Sequence, residues 1–353
     1  MSLTKIIKIN PLAPEEALVK QAAKVISSGG LVIIPTDTVY GIAVSALDIK
    51  ALDKLYEIKK RPKDKPFAIL ISDQEEVEKF SLDIPPAAYK LMHKFWPGPL
   101  TIILNAIDQG NVGLRMPDNQ IALEIISQAG VPVACPSANI SDNPAPRDFQ
   151  QAIKDFNGLV DLAVDAGQTK LGLESTIVDL SLEPLKIVRR GAIKDEEIIA
   201  VTKSKSILFV CTGNSCRSVM AEAYLKKLLA KEKRTDVEVS SAGMMALEGA
   251  GASLETRQVL AKEGIDLGAH RARRVTKELV DRTDIILVME KIHEERILEL
   301  APEVRNRLFL LKEFAKINDS SLNIADPIGG SYEFYQEVFS IIKDAVERIS
   351  KII

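Results

Sequence analysis

The residues with the most distinctive chemistry stand where an apolar run, ILFV, ends at Cys211 and a helix-like run begins at Arg217. A short loop between a strand and a helix can turn its backbone N–H groups inward around a tetrahedral anion, and the helix N-terminus adds its positive end. Helix N-termini and arginines are known to ionise cysteine thiols, and an arginine fork can hold two phosphoryl oxygens. A thiolate in such a loop predicts covalent phosphoryl transfer, with Cys211 as the nucleophile and Arg217 holding the phosphoryl group.

The spacing Cys-x5-Arg alone also suits a cysteine that only packs at the end of a strand, because free cysteines are usually packing residues. Here strand, cysteine, Gly-Asn turn, Arg-Ser pair and helix follow in the order that the chemistry requires, which favours catalysis. We predict that the phosphate group is bound by the loop residues Thr212, Gly213, Asn214, Ser215, Cys216 and Ser218. For Cys216 two interpretations stay open, a small core residue or a partner in a reversible disulfide with Cys211. His270 and His293 are predicted to be structural.

The first half of the chain carries short polar motifs at the ends of apolar strands. They are PTDTVYGI (35–42), KKRPKDKP (59–66), LRMP (114–117), PSAN (136–139), ESTIVD (174–179) and VRRG (188–191). Hydroxyls and cations in this number indicate a concave site for a nucleoside triphosphate or another polyanion. The sequence shows no Walker loop, no GxGxxG and no His/Cys metal cluster in this half, so no protein-held metal is predicted.

Strand-like and helix-like runs alternate in the first half, which becomes strand-rich after about residue 130. This pattern predicts an α+β domain with an open, twisted, mixed sheet. The predicted helices span residues 14–28, 48–59 and 86–95, and the predicted strands span 31–35, 67–71, 99–105, 132–135, 160–164, 175–180 and 185–189.

The stretch 192–206 predicts a short helix followed by a polar Thr-Lys-Ser-Lys-Ser segment, interpreted as a linker between domains 1–203 and 204–353. Past it, strands and helices alternate regularly, which predicts a second α/β domain with a doubly wound parallel sheet. Its predicted strands are 206–210, 237–241, 283–288 and 307–311, and its predicted helices are those from about 217, 253–263, 291–299 and 332–350.

Composition excludes several classes of protein. A length of 353 residues predicts two domains at roughly 150 residues each. Residues up to Lys203 carry 23 Lys+Arg against 26 Asp+Glu, and the rest carry 23 against 23, so neither half has the basic excess of a protein that grips nucleic-acid backbone. No apolar run approaches the roughly 18 residues of a membrane span, and the first residues lack a signal-peptide core. Three cysteines predict a reducing, cytoplasmic setting rather than a disulfide scaffold.

Residues 205–350 resemble the low-molecular-weight protein phosphatases, through CTGNSCRS, Ser241-Ala242-Gly243, GIDLGAHRAR and ADPIGGS. The resemblance implies that Asp326, before a proline, donates a proton to the leaving group and later activates water. It also implies a phosphorylated protein as substrate. In the tyrosine-directed branch the residue before the second loop cysteine is typically isoleucine, and in the phosphoarginine branch it is threonine. Here it is Ser215, and Ile328 and Gly329 stand where many tyrosine-directed members have paired tyrosines. We therefore expect phosphoarginine to be favoured over phosphotyrosine.

Residues 5–200 resemble the YrdC-like family of threonylcarbamoyl-AMP synthases, through TDTVYG, KKRP, WPGPLT, RMP, SAN and STIVD in this order. The resemblance implies synthesis of L-threonylcarbamoyl-AMP from L-threonine, bicarbonate and ATP, in a large positively charged cavity. The product would supply enzymes of tRNA threonylcarbamoyladenosine modification. The residues carried over for threonine are Thr38, Arg115 and Ser175, and those for ATP are Lys59, Arg61, Lys65, Ser137, Asn139 and Arg189.

Mg²⁺ is expected with ATP, held mostly by substrate oxygens rather than by a protein cage. Some family members have a polar residue that contacts threonine at the position of Leu70, so that contact is expected to be absent here. Two other functions stay open. The first half could be an RNA-binding module beside a single phosphatase, or Cys211 and Cys216 could cycle as a thiol pair without hydrolysing phosphate esters.

Overall fold

The computed structural model describes residues 3–82 and 84–353, so Met1 and Ser2, which begin the predicted first domain, and Asp83 lie outside the described residues. The chain divides into two compact units, Met1–Val201 and Thr202–Ile353. No helix within the described ranges is long and apolar enough to cross a membrane.

Ten strands of the first unit, counted over its described residues, form one mixed sheet. The strands are β1 Lys5–Lys8, β2 Val32–Ile34, β3 Gly41–Ser45, β4 Ile69–Leu70, β5 Leu100–Asn105, β6 Asn111–Arg115, β7 Val133–Ala134, β8 Leu162–Asp165, β9 Thr176–Asp179 and β10 Lys186–Arg189. Their order across the sheet is β1-β8-β2-β3-β7-β4-β6-β5-β9-β10. Parallel pairs such as β1–β8 and β5–β9 alternate with antiparallel pairs such as β2–β3 and β5–β6, which confirms the predicted mixed sheet.

Helices cover the two faces of this sheet unequally. They are α1 Glu16–Ser27, α2 Ile49–Lys59, α3 Pro86–Phe95, α4 Gln120–Ala129, α5 Phe149–Lys154 and α6 Asp195–Lys203, with a 3-10 turn at Gln74–Lys79. Side chains alternate between faces along a strand, so Ile33 packs with α2, α3 and α5, whereas Val32 and Ile34 pack with α1 and α4. On this second face α1 and α4 cover the half with β1, β8, β2 and β3. The other half, along β6, β5 and β9, is where the cavity described below lies.

The second unit is built on a four-stranded parallel sheet, in the order β12-β11-β13-β14 over its described residues. Its elements are β11 Lys205–Cys211, α7 Arg217–Lys231, β12 Val237–Gly243, α8 Leu254–Lys262, α9 Lys277–Asp281, β13 Ile285–Val288, α10 Lys291–Leu300, β14 Leu308–Leu310, α11 Leu311–Phe314 and α12 Tyr332–Ile349, with a 3-10 turn at Pro302–Arg307. Ile207 and Phe209 of β11 pack with α7, α8 and α12, and Leu208 and Val210 pack with α9 and α10. Helices therefore lie on both faces, as the predicted doubly wound sheet requires.

The segment predicted as a polar linker is built into regular structure. Thr202 and Lys203 end α6, and Lys205 begins β11. Lys205 pairs with Val237 across the parallel sheet, so the polar run already contributes to the second unit. The predicted short helix corresponds to α6, and the polar run 202–206 that follows it is divided between the end of α6 and the start of β11.

Candidate active sites

The first unit contains a cavity of about 490 Å³. Seven of the nine residues predicted to bind ATP or threonine line it: Thr38, Arg61, Lys65, Arg115, Ser137, Ser175 and Arg189. Its floor is the uncovered half of the sheet, where alternate residues such as Ile103, Gly113 and Ile177 face away from the core. The topology thus brings together motifs that lie more than a hundred residues apart in the chain.

Arg115 is buried at the end of β6, and each of its nitrogens has a partner. Nε donates to the carbonyl of Gly98 at 3.1 Å, Nη1 donates to Thr38 Oγ1 at 2.7 Å, and Nη2 donates to the carboxylate of Asp37. The second Asp37 oxygen, Oδ2, is buried with no partner in the described part of the chain. Sequence reasoning missed Asp37, although it stands inside the TDT motif; it is the counter-ion that makes a buried guanidinium tolerable here.

Arg189 and Ser175 form a second polar group in the cavity. Arg189 donates from Nε to the Ser175 carbonyl at 3.1 Å, from Nη2 to Ser175 Oγ at 3.0 Å and from Nη1 to Glu174 at 2.6 Å. Ser175 Oγ also lies 2.9 Å from Thr101 Oγ1. Burial lowers the pKa of Arg189, and Glu174 opposes that shift. Ser175 was predicted to bind threonine and Arg189 to bind the nucleotide, whereas in the structure the two residues bond to each other. Thr101 and Glu174 were not predicted.

Arg61 is held by the loop that follows it. Its Nε donates to the Lys65 carbonyl at 2.9 Å and its Nη2 to the Pro66 carbonyl at 3.2 Å, while the guanidinium lies 5.2 Å from the ring centre of Phe67. Loop carbonyls and an aromatic face therefore fix the orientation of this cation in the cavity wall.

Lys59 takes a different place from the one that its motif suggested. Only 2% of it is exposed, and its Nζ donates to the carbonyls of Ser137 at 2.5 Å and Asn139 at 2.6 Å. Burial, with a smaller contribution from Arg61, lowers the pKa of Lys59 to about 8. Asn139 Nδ2 donates to the Asn143 carbonyl at 2.6 Å. Neither Lys59 nor Asn139 lines the cavity, and the Lys59 ammonium instead holds the turn that presents Ser137.

The charge of the cavity wall is mixed. Besides its four basic residues the lining includes the carboxylates of Asp64, Glu174 and Asp179. The resemblance implied a positively charged cavity, and these carboxylates reduce that charge. Leu70 also lines the cavity, with an apolar side chain at the position where the resemblance implies a threonine contact in some family members.

In the second unit, β11 carries Cys211 to its C-terminal end, and α7 begins at Arg217. The Cys211 sulfur is buried; Asn214 N donates to it at 3.3 Å, and Ser218 Oγ lies 3.0 Å away. Ser218 Oγ accepts from Asn214 Nδ2 at 3.0 Å, which leaves its own hydrogen for the sulfur. The loop therefore surrounds the sulfur with donors.

Asn214 holds the loop in shape. Its backbone is left-handed, with φ 52°, and its side chain is fully buried. The amide donates to Ser241 Oγ at 2.7 Å and accepts from Arg273 N at 3.0 Å, and its carbonyl accepts from His270 Nε2 at 2.9 Å. His270 thus supports the loop backbone, in the structural role that the sequence predicts.

Arg217 is buried, and its two terminal nitrogens bond to different partners around the loop. Nη1 donates to Glu290 at 2.6 Å and to the Ile324 carbonyl at 2.8 Å, and Nη2 donates to Thr212 Oγ1 at 3.2 Å and to the Asp326 carboxylate. Nε is buried without a partner among the described residues. Arg217 therefore brings Asp326 to the loop, and Nε stays available to an anion. Sequence reasoning missed Glu290, which carries no local signal.

Cys216, the second loop cysteine, is buried in the hydrophobic core of the second unit, with three hydroxyl groups near its sulfur. Its sulfur is 3.6 Å from both Ser253 Oγ and Tyr335 Oη, and 3.5 Å from Ser215 Oγ. Cys211 and Cys216 are both free thiols, as is Cys135. Reversible pairing of the two loop cysteines stays a prediction. Ser215 is also fixed by its carbonyl, which accepts from Ser253 N at 3.1 Å.

Comparison with known proteins assigns the two units. A family model for Sua5, YciO and YrdC proteins, described as "Telomere recombination", matches residues 24–191, and a model for "Low molecular weight phosphotyrosine protein phosphatase" matches 206–353. The chain belongs to both families, as a fusion of a synthase-type unit and a phosphatase-type unit.

Individual relatives agree with this assignment. A threonylcarbamoyl-AMP synthase of Pyrococcus abyssi is 40% identical over 52% of this chain and 57% of its own length. A putative one of Methanocaldococcus jannaschii is 36% identical over 55% of this chain and 96% of its own length. A protein-arginine-phosphatase of Geobacillus stearothermophilus is 40% identical over 41% of this chain and 93% of its own length.

A solved structure of P. abyssi Sua5 complexed with L-threonine has a TM-score of 0.54 and 28% identity, over 68% of this chain and 92% of that one. The present chain spans 57% and 58% of the first two curated relatives that it matches.

Proposed function

We propose that the first unit makes L-threonylcarbamoyl-AMP from L-threonine, bicarbonate and ATP and releases pyrophosphate. The observation that carries the proposal is the buried pair of Arg115 and Thr38 in the wall of a cavity that Arg61 and Arg189 also line. A fixed guanidinium suits the carboxylate of an amino acid. Further cations along the wall suit a triphosphate whose charge must be balanced while pyrophosphate leaves. The product would pass to enzymes that modify tRNA.

Mg²⁺ is proposed to enter this cavity with ATP. The lining offers carboxylate oxygens, the donor type that Mg²⁺ prefers, but Glu174 is already paired with Arg189 at 2.6 Å. This set fits an ion held mainly by phosphate oxygens; the other carboxylates of the lining are Asp64 and Asp179, and Asp179 Oδ1 already accepts from Ser181. When bound, the ion would neutralise charge on the departing pyrophosphate.

The test is mass spectrometry of the product formed by the full chain from ATP, threonine and bicarbonate. We expect the mass of threonylcarbamoyl-AMP, together with pyrophosphate, only when all three substrates are present. Arg115→Met, which keeps a side chain of similar length without the guanidinium, is the matched variant and is expected to lose the product. Formation of ADP instead, or RNA binding that weakens with salt and needs no threonine, would overturn the proposal.

We propose that the second unit is a cysteine-dependent phosphatase. The carrying observation is the buried Cys211 sulfur among donors beside Arg217, whose Nε has no partner in the described chain. Cys211 Sγ would attack phosphorus while Asp326 protonates the leaving group. Water would then attack the cysteinyl phosphate with Asp326 as the base, which releases phosphate, returns the Cys211 thiolate and leaves Asp326 protonated. The side chain of Arg217 would hold phosphoryl oxygens through both steps.

Phosphoarginine is proposed as the favoured substrate over phosphotyrosine. Ser215 places a hydroxyl in the loop, where it can orient water or meet a polar guanidinium, and exposed Ile328 follows the Asp-Pro pair without an aromatic ring. The test compares kcat/KM on phosphoarginine and phosphotyrosine peptides for wild type and Ser215→Ile. We expect wild type to prefer phosphoarginine and the variant to move toward phosphotyrosine. The assignment would be wrong if wild type prefers phosphotyrosine, or if Ser215→Ile does not change the ratio of the two kcat/KM values.

A further inference from the structure

His293 of α10 contacts the loop between Cys211 and Arg217, the phosphatase loop, and both of its ring nitrogens have hydrogen-bond partners. The backbone N of Glu290 donates to Nδ1 at 3.2 Å, and only an unprotonated ring nitrogen accepts such a bond. The hydrogen of the neutral ring must therefore sit on Nε2, which lies 3.0 Å from Thr212 Oγ1. Burial, and then the charge of Arg217, lower the pKa of His293 to about 4, so the ring is neutral at pH 7.

This tautomer determines what the Thr212 hydroxyl can do. Its oxygen receives the hydrogen of His293 Nε2 and, at 3.2 Å, one from Arg217 Nη2. A hydroxyl oxygen has two lone pairs, and neither of these neighbours can accept a hydrogen in return. Both acceptor positions are therefore filled, and the hydroxyl's own hydrogen must turn toward a third group. Thr212 is partly exposed and directly follows Cys211, and among the described residues its hydroxyl has no other hydrogen-bond partner.

The same Arg217 nitrogen that bonds Thr212 also bonds Asp326. Both Nη2 hydrogens are therefore used, and a phosphoryl group would be held through the unpaired Nε. Because Nε and Nη2 belong to the same guanidinium, that phosphoryl group would lie on the side of Arg217 that meets the Thr212 hydroxyl. We propose that Thr212 donates a hydrogen bond to the phosphoryl group through its side chain, and that His293 is a positioning residue that keeps this hydroxyl turned toward it. The inference rests on the proposed phosphatase function. It adds one side-chain donor, the Thr212 hydroxyl, to the backbone N–H groups with which the loop would bind phosphate oxygens.

The test uses the full chain, with inorganic phosphate as a competitive inhibitor and p-nitrophenyl phosphate as the substrate. Thr212→Val keeps the shape of the side chain and removes the hydroxyl, whereas Thr212→Ser keeps the hydroxyl. We expect Thr212→Val to weaken phosphate binding and to lower kcat/KM at least about tenfold, since a hydrogen bond to a charged group is worth about 1.5–3 kcal/mol. Thr212→Ser is expected to recover most of this loss.

Two variants of the histidine separate positioning from folding. His293→Asn retains an acceptor for Glu290 N but does not reach Thr212, and His293→Gln extends a donor amide toward Thr212. We expect His293→Asn to weaken phosphate binding as Thr212→Val does, His293→Gln to recover part of it, and the double variant His293→Asn/Thr212→Val to lose no more than either single one. A purely structural histidine would instead lower the melting temperature and leave the phosphate inhibition constant unchanged.

The remaining outcomes are distinct. Unchanged phosphate binding in folded Thr212→Val, or additive losses in the double variant, would overturn the proposal. A wild-type chain that binds phosphate through Thr212 but hydrolyses no phosphate ester would contradict the phosphatase function and still support the hydroxyl contact.

Discussion

Replacing Lys59 by methionine tests whether this residue positions a turn or grips a phosphate. The change removes the ammonium that donates to the Ser137 and Asn139 carbonyls and keeps the length of the side chain. Each carbonyl left without a donor costs about 1–3 kcal/mol. Against this, the fall in pKa from 10.5 to about 8 means that burial costs the charged ammonium on the order of 3 kcal/mol. The two effects largely offset each other, so we expect a folded variant whose stability lies within about 2 kcal/mol of wild type.

Activity is expected to fall although the variant stays folded. Once the turn is released, Ser137 no longer has a fixed place in the cavity wall, and we expect the kcat for pyrophosphate release to drop at least tenfold. Lys59→Arg is the matched control, because it keeps the positive charge but is too large to make the two short bonds. We expect its kcat for pyrophosphate release to fall by a similar factor. A crystal structure of Lys59→Met with the turn unmoved, together with a defect confined to the KM for ATP, would refute this reasoning and make Lys59 a phosphate ligand.

The pH dependence of stability gives a second, independent measurement. The folded protein releases the Lys59 proton near pH 8, whereas the unfolded chain keeps it to about pH 10.5. Between these values the unfolded state binds more protons, so wild type gains stability with rising pH relative to Lys59→Met. We expect the difference in unfolding free energy to move by about 3 kcal/mol toward wild type across this window. Urea unfolding of both proteins at the two ends of the window measures it, and a constant difference would contradict the burial argument.

Cys211→Ser is expected to abolish phosphate-ester hydrolysis because the nucleophile is lost, while threonylcarbamoyl-AMP formation stays near wild type; loss of both reactions in a folded protein would contradict two independent sites. Arg61→Ala is expected to raise the KM for ATP tenfold or more, and far more than that for threonine, since a charge-assisted contact is worth about 1.5–3 kcal/mol; an unchanged ATP dependence would exclude Arg61 from the phosphate site. Gly243→Ala would place a Cβ 2.7 Å from Asn214 N and from the Thr212 carbonyl, so we expect the loop to be displaced and phosphatase activity to fall. Phosphatase kinetics equal to wild type would argue against this crowding.

Much of the fold could be predicted because its signals are local. In the second unit the predicted strands and helices correspond to β11–β14 and to α7, α8, α10 and α12, since their apolar runs are local in the sequence. In the first unit β3, Gly41–Ser45, was not predicted, because its residues were interpreted only as the end of a polar motif. Helix α4, Gln120–Ala129, was also not predicted, although Asn119 caps it and Gly130 ends it in a left-handed conformation. That signal was available in the sequence.

The same difference between local and distant signals applies to the two sites. The phosphatase loop is contiguous, so the order of residues alone indicated its chemistry. Asp37, Thr101 and Glu290 were not predicted, because their importance comes from partners far away in the chain: Asp37 meets Arg115 and Glu290 meets Arg217 across separations of 78 and 73 residues. The place of Lys59 was unpredictable for the same reason, since its acceptors are carbonyl groups that every residue has.

Burial explains why the Arg217 guanidinium has so many hydrogen-bond partners, and it makes the absence of a partner for Nε unusual. A guanidinium that is 1% exposed must find acceptors for its N–H groups, because an unpaired buried donor costs about 1–3 kcal/mol. Nη1 and Nη2 find them in Glu290, the Ile324 carbonyl, Thr212 and Asp326, whereas Nε finds none among the described residues. Buried donors without partners are rare in folded proteins and are concentrated where a ligand completes them. An anion bound in this loop would satisfy Nε, and this argument does not depend on the order of residues in the sequence.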